Sequence, residues 1–232
     1  MTTRLLVVQP SDRAPAERLG DWLAAAGAQL TLCRPVADGV PGTLDGFDGV
    51  VCMGGEMGAQ DDTDHPWLVP LRKSLAGAVA RHMPVLGVCL GAQLLAVATG
   101  GAVRRAAHGP EAGTLLIAKR DAAAHDPLFA ELPLTPDVIQ FHHDEIHQLP
   151  PGATLLASSP RYPNQAFLVG TAGYGVQCHI ETSPATVLSW AHHDDPGVFP
   201  PDQLDPDHLA RAHEDIAQAW QPFAARVVAL AR

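Results

Sequence analysis

Short apolar runs alternate with stretches of helical periodicity through the N-terminal half of the chain. "RLLVVQ" (residues 4–9) reads as a buried strand, and an amphipathic helix over about 14–26 follows it. "AQLTLC" and "GVVCMGG" read as further buried strands, the second closing on two glycines. Trp67, Leu71, Leu75 and Val79 fall at helical spacing, and Pro84 then opens the short apolar strand "PVLGV". Strands alternating with helices of this length predict β-α-β units, hence an α/β fold with an open, mostly parallel sheet flanked by helices.

The pattern changes in the middle of the chain. Between residues 114 and 175 the strand candidates "TLLIA", "VIQFHH", "TLLAS" and "QAFLVG" are separated by Pro, Gly and Asp turns. They predict hairpins or edge strands, a smaller antiparallel portion attached to the main sheet. "GVQCHIE" returns to a strand, and a helix over about 184–192 follows. "HHDDPGVFPPDQLDPDH" reads as a loop, beyond which Leu209, Ile216, Trp220, Phe223, Val227 and Leu230 keep helical spacing. No internal repeat or composition break divides the sequence, so residues 1–232 are expected to form a single domain.

Composition narrows the function classes. The 232 residues carry a formal charge of −10 and no Lys/Arg cluster, which argues against nucleic acid as a partner. The N-terminal apolar run is too short for a signal peptide, and no later segment reaches a spanning length, so a cytoplasmic location without membrane contact is expected. Four cysteines lie far apart with no C-x-x-C pair and are expected to be reduced.

One of them sits in an unusual place. In "PVLGVCLGAQLLAVATGG" a strand passes into a helix at Cys89, with Gly87 two residues before and Gly91 two after. A sharp strand-to-helix turn projects one side chain at the carboxyl end of the sheet, and the glycines leave room where backbones come close. The N–H groups opening the helix, notably that of Leu90, point at the same place and can stabilise a thiolate and then an oxyanion. A thiol nucleophile needs an imidazole to take its proton and a third group to orient that imidazole. "VQCHIETSP" supplies both: His179 and Glu181, at i and i+2, point to one face, whereas Cys178 faces the other way and is expected in the core.

"GVCLGAQLLA" together with "QCHIE" resembles the class I glutamine amidotransferase domain, and "GGEMGAQDD" and "FHHDEIHQLPPGATLLASS" resemble its oxyanion loop and substrate-side segment. The likeness runs from about residue 50 to 183 and is nearest to stand-alone proteins related to the glutaminase half of GMP synthase. It implies a flavodoxin-like sheet and a triad of Cys89 as nucleophile, His179 as general base and then acid, and Glu181 as its orienter. It further implies an oxyanion hole from the N–H groups of Gly55 and Leu90, and substrate contacts from Gln93, His142 and Asp144. Cys178 stands where the family commonly has an aromatic residue, and Ile180 where it has proline; neither removes a catalytic group.

The implied chemistry is cysteine-dependent hydrolysis of a γ-glutamyl amide through a γ-glutamyl thioester, with no metal or organic cofactor. The segments around 61–67, 104–111 and 164–167 are expected to line the leaving-group side. An alternative is a glutaminase subunit that supplies ammonia to a separate synthetase chain, since too little sequence follows Glu181 for a synthetase domain. A second alternative is a non-catalytic or metal-binding protein on the same fold. Twelve histidines, with His143 and His147 at i, i+4 in "FHHDEIH" and a further cluster in "AHHDD", suggest ligands, but no H-E-x-x-H or C-x-x-C accompanies them. The terminal helix bearing Trp220 and Phe223 is expected to pack into the core, although its face is also available to a homodimer.

Overall fold

A computed structural model describes residues 2–194 and 197–232. The chain begins with β1 (Thr3–Val8), α1 (Glu17–Ala25), β2 (Ala28–Cys33), the single-turn α2 (Pro35–Asp38), β3 (Gly49–Cys52) and α3 (Leu68–Ala80). Then come β4 (Val85–Val88), α4 (Leu90–Ala98), β5 (Ala102–Arg105), β6 (Glu111–Leu116) and the short β7 (Ala118–Lys119). β8 (Asp137–His142), β9 (Asp144–Gln148), β10 (Thr154–Ser158), β11 (Ala166–Val169) and β12 (Gly173–Val176) precede the last helices, α5 (Pro184–His193) and α6 (Pro206–Leu230).

An eight-stranded mixed sheet in the order β2-β1-β3-β4-β12-β11-β10-β7 forms the centre. The neighbours from β2 through β12 run parallel, and β11, β10 and β7 continue the sheet antiparallel. β5 pairs with β9, and β6 with β8, as two separate antiparallel ribbons. Every residue of β3, β4 and β12 is buried, as strands covered on both faces must be. Leu5 and Val7 point into a core shared with α1 and α6, while Leu6 and Val8 point into one shared with α3 and α4. This period of two gives the sheet two apolar faces from one continuous run.

The expected boundaries shift in physically explicable ways. β2, read from the sequence as buried, is an edge strand, with only Cys33 buried and Leu32 45% exposed, because among the described residues nothing pairs beyond it. The strand expected from "GVQCHIE" ends at Val176, so His179 and Glu181 lie past it. His179 is nonetheless fixed: its N–H donates to the Ile139 carbonyl at 2.8 Å, and its own carbonyl accepts from the Ile139 N–H at 3.0 Å. The loop expected over 192–208 is shorter, since α5 runs through His193 and α6 opens at Pro206, capped by the Asp205 carboxylate. Asp195, the last residue of the "AHHDD" cluster, lies outside the described residues. Among the described residues no helix is long and apolar enough to cross a membrane, and no group of three or more His, Cys, Asp or Glu side chains could hold a metal ion.

Candidate active site

The carboxyl ends of β1, β3, β4 and β12 open onto a cavity of about 590 Å³. Cys89 stands at the junction of β4 and α4 with φ 51° and ψ −109°, a backbone conformation that L side chains rarely adopt. Two close approaches enforce it. A Cβ at Gly91 would lie 2.0 Å from the Cys52 carbonyl oxygen, and one at Gly87 would lie 2.5 Å from the backbone of Gly91. The Cys89 N–H donates to the Val176 carbonyl at 2.8 Å, tying the turn to β12. All four cysteines are free and buried. Burial pushes the Cys52 thiol up to about 12, and the Cys178 thiol well above its usual value, so those two act as small apolar groups.

His179 borders the cavity from the far side of Gly54, where a Cβ would sit 3.2 Å from its Cε1 and 3.7 Å from the Cys89 Cβ. Its Nδ1 meets the Glu181 carboxylate at 2.7 Å, and Glu181 also accepts the Ile180 N–H at 2.9 Å. Both side chains are almost wholly buried. Among the described residues the Nε2 atom has no hydrogen-bond partner at standard length, and the Cys89 sulfur is close enough to bias the protonation of the ring. Burial is the largest single influence and works to lower the histidine's proton affinity. Glu181 and the Cys89 sulfur together outweigh it, and hold the imidazole's proton well above the ordinary histidine range.

Of the other expected residues, Gly55 borders the cavity, and a Cβ there would meet Met57 Sδ at 2.6 Å and Leu90 Cδ2 at 2.9 Å. This glycine therefore lies against the first residue of α4, whose N–H is among those a helix leaves unsatisfied in its first turn. Gln93 is buried and donates to the Gln177 side chain at 3.3 Å and the Asp144 carbonyl at 3.4 Å. His142 is held on both nitrogens, Nδ1 against the Asp144 carbonyl at 2.8 Å and Nε2 against Glu111 at 3.1 Å. Asp144 borders the cavity; burial raises its carboxyl, with Arg105, 3.6 Å away, opposing.

A family model, glutamine amidotransferase class-I, matches residues 21–187. The chain belongs to this family. Gamma-glutamyl peptidase 4 of Arabidopsis thaliana is 34% identical over 140 residues, 60% of this chain and 55% of that protein. The chain spans between 55% and 64% of the lengths of the three Arabidopsis peptidases it matches. One subunit of the glutamine-hydrolysing GMP synthase of Thermoplasma acidophilum is 33% identical over 144 residues, 60% of this chain and 65% of that one. The crystal structure of a glutamine amidotransferase from Thermotoga maritima superposes with a TM-score of 0.84 at 26% identity, covering 98% of this chain and 99% of the other.

Several residues at or beside the cavity escape the sequence pattern. Gln177 donates to the Cys89 sulfur at 3.8 Å, bridging it to Gln93. Its signal was available, because Gln177, His179 and Glu181 share one period-two face. Trp190 of α5 lies against the His179 ring, centroids 4.7 Å apart, and stacks on Phe141. Only Asp61 and Arg105 of the segments expected on the leaving-group side border the cavity. Residues 164–167 turn inward instead: Asn164 donates to the Ile146 carbonyl and Gln165 to the buried Glu111. Their place is taken by Arg13 and by the end of α5, including His193. Of the histidines weighed as metal ligands, His143 instead pairs with Asp194 at 3.2 Å, and the segment holding it and His147 is two strands rather than a helix.

Proposed function

We propose that the protein hydrolyses γ-glutamyl amides with Cys89, His179 and Glu181 as its catalytic triad. The observation that carries this reading is a strained cysteine at a strand-to-helix turn, facing the same cavity as a histidine clamped by a buried carboxylate at 2.7 Å. The Cys89 thiolate attacks the γ-carbonyl carbon, and the carbonyl electrons move onto oxygen between the N–H groups of Gly55 and Leu90. Collapse of this intermediate breaks the C–N bond as His179 gives its proton to the departing amine, leaving a γ-glutamyl thioester. His179, now neutral, takes a proton from water; the hydroxide adds to the thioester carbonyl, and the thiolate departs from glutamate. Glu181 holds the imidazole in the required orientation throughout and stabilises its cationic form. Gln93 and Asp144 hold the glutamyl part of the substrate, and His142, bonded on both ring nitrogens, fixes the Asp144 backbone beside it.

The test follows release of ammonia from glutamine and of amino acids from γ-glutamyl dipeptides by the purified chain beside Cys89→Ser. Dipeptide cleavage that disappears in the variant supports the reading, whereas turnover indifferent to the substitution removes it. The likeness to one subunit of a glutamine-hydrolysing GMP synthase favours a second reading, in which a separate synthetase chain consumes the ammonia. Under that reading the isolated chain shows feeble glutaminase activity, lost in Cys89→Ser, that rises when the partner is added.

A further inference from the structure

The cavity carries more charge than the hydrolytic steps use. Arg105 is paired with Asp144, His143 with Asp194, and the Asp61 carboxylate accepts the Gly58 N–H at 2.6 Å. Arg13 borders the same cavity, is exposed, and among the described residues has no carboxylate at ion-pair distance. The cavity carboxylates without an ion pair among those residues, Glu56 and Asp61, have the opposite sign.

Arg13 also stands on a defined side of the cavity. Its carbonyl accepts the Trp190 indole N–H at 2.8 Å, and the Trp190 ring lies against His179. The next residue, Ala14, and the His179 ring approach the space over Gly54 from within 3.4 Å and 3.2 Å. Arg13, Trp190 and His179 therefore belong to one bank. Gln93, Asp144 and Arg105 form another mutually bonded group. The group that leaves must be the one His179 protonates, so its substituents extend over the His179 bank.

We propose that Arg13 binds a carboxylate on the leaving group, which makes γ-glutamyl derivatives of amino acids or short peptides the preferred substrates over glutamine and uncharged amides. This rests on the hydrolytic reading above. A guanidinium fork matches a carboxylate through two parallel hydrogen bonds, and an arginine without an internal anion has none to give up on binding. The carboxylate of the glutamyl unit presents the same chemistry, and a pair of substrates separates the two sources. γ-Glutamylglycine and γ-glutamyl methylamide share the glutamyl carboxylate and differ in the one on the leaving group.

The expected result is that wild type prefers γ-glutamylglycine in kcat/KM, and that Arg13→Gln erases about tenfold or more of this preference, chiefly through KM. An equal loss on both substrates would assign Arg13 to the glutamyl carboxylate or to the fold and overturn the proposal, as would an unchanged preference. Calorimetric binding of both compounds to Cys89→Ala, with and without Arg13→Gln, reads the same selectivity without turnover. Carboxylate-selective binding that depends on Arg13, in a chain lacking Cys89-dependent hydrolysis, would support Arg13 and remove the hydrolytic reading. Equal binding of the two compounds would overturn the proposal.

Discussion

His179 and Glu181 are separated by one residue and joined at 2.7 Å, and their coupling sets the pH behaviour of the site. In the proposed mechanism His179 carries a proton when the amine leaves, so activity is expected to fall as pH rises through its elevated folded value. Glu181→Gln removes the charge that opposes burial, and the histidine's proton affinity drops. The alkaline limb of the kcat/KM profile should then move to lower pH, with a loss of about a hundredfold or more at its optimum. A profile of unchanged shape would mean that the carboxylate only packs. The same shift stabilises the fold. Because His179 is raised above its ordinary value of 6.5, this contribution is complete below that pH and fades as pH climbs through the folded value.

At the scale of elements, the turn between β4 and α4 depends on backbones that touch. Gly91→Ala would drive a Cβ to 2.0 Å from the Cys52 carbonyl, a backbone atom in the central sheet that cannot step aside. Thermal or urea unfolding should register a loss of several kcal/mol, at the severe end of single substitutions (about 4 or more). Gly77→Ala is the contrast: its Cβ would meet nothing within 4 Å in the interior of α3, so a gain of about 0.5–1 kcal/mol is expected. The legibility of the chain follows the same division. The glycine-flanked cysteine and the His-x-Glu pair could be read because their chemistry is encoded within a few residues. The buried runs at residues 5–8 of β1 and through β3 and β4 could be read because strands covered on both faces leave no polar position. The edge character of β2 could not, since it depends on the absence of a neighbour rather than on the strand itself. The Arg13–Trp190 wall could not either, because its hydrogen bond spans 177 positions. The helical spacing from Leu209 to Leu230 continues across Pro222 because that proline lies on the exposed face, where water can satisfy the carbonyl it leaves unpaired.

Across the whole molecule, α6 links the stability of the core to the geometry of the site. Trp220 is fully buried against Phe129 and Phe223, and its indole N–H donates to the Asp137 carbonyl at 2.9 Å at the start of β8. β8 in turn bridges His179 through Ile139 and ends at His142. A change to Trp220 can therefore reach the candidate site through the strand that bridges His179. Trp220→Ala should cost about 3–5 kcal/mol from lost burial and the cavity left behind. Trp220→Phe keeps most of the packing but leaves the carbonyl without its donor, and should cost about 1–3 kcal/mol. Denaturant melts measure both losses, and kcat/KM per folded molecule separates the two roles of the helix. If α6 serves packing alone, Trp220→Phe retains wild-type kcat/KM wherever it is folded. If the Asp137 contact sets the register of β8 beneath His179, kcat falls in Trp220→Phe while the chain remains fully folded, and the connection from terminal helix to histidine is a working part of the site.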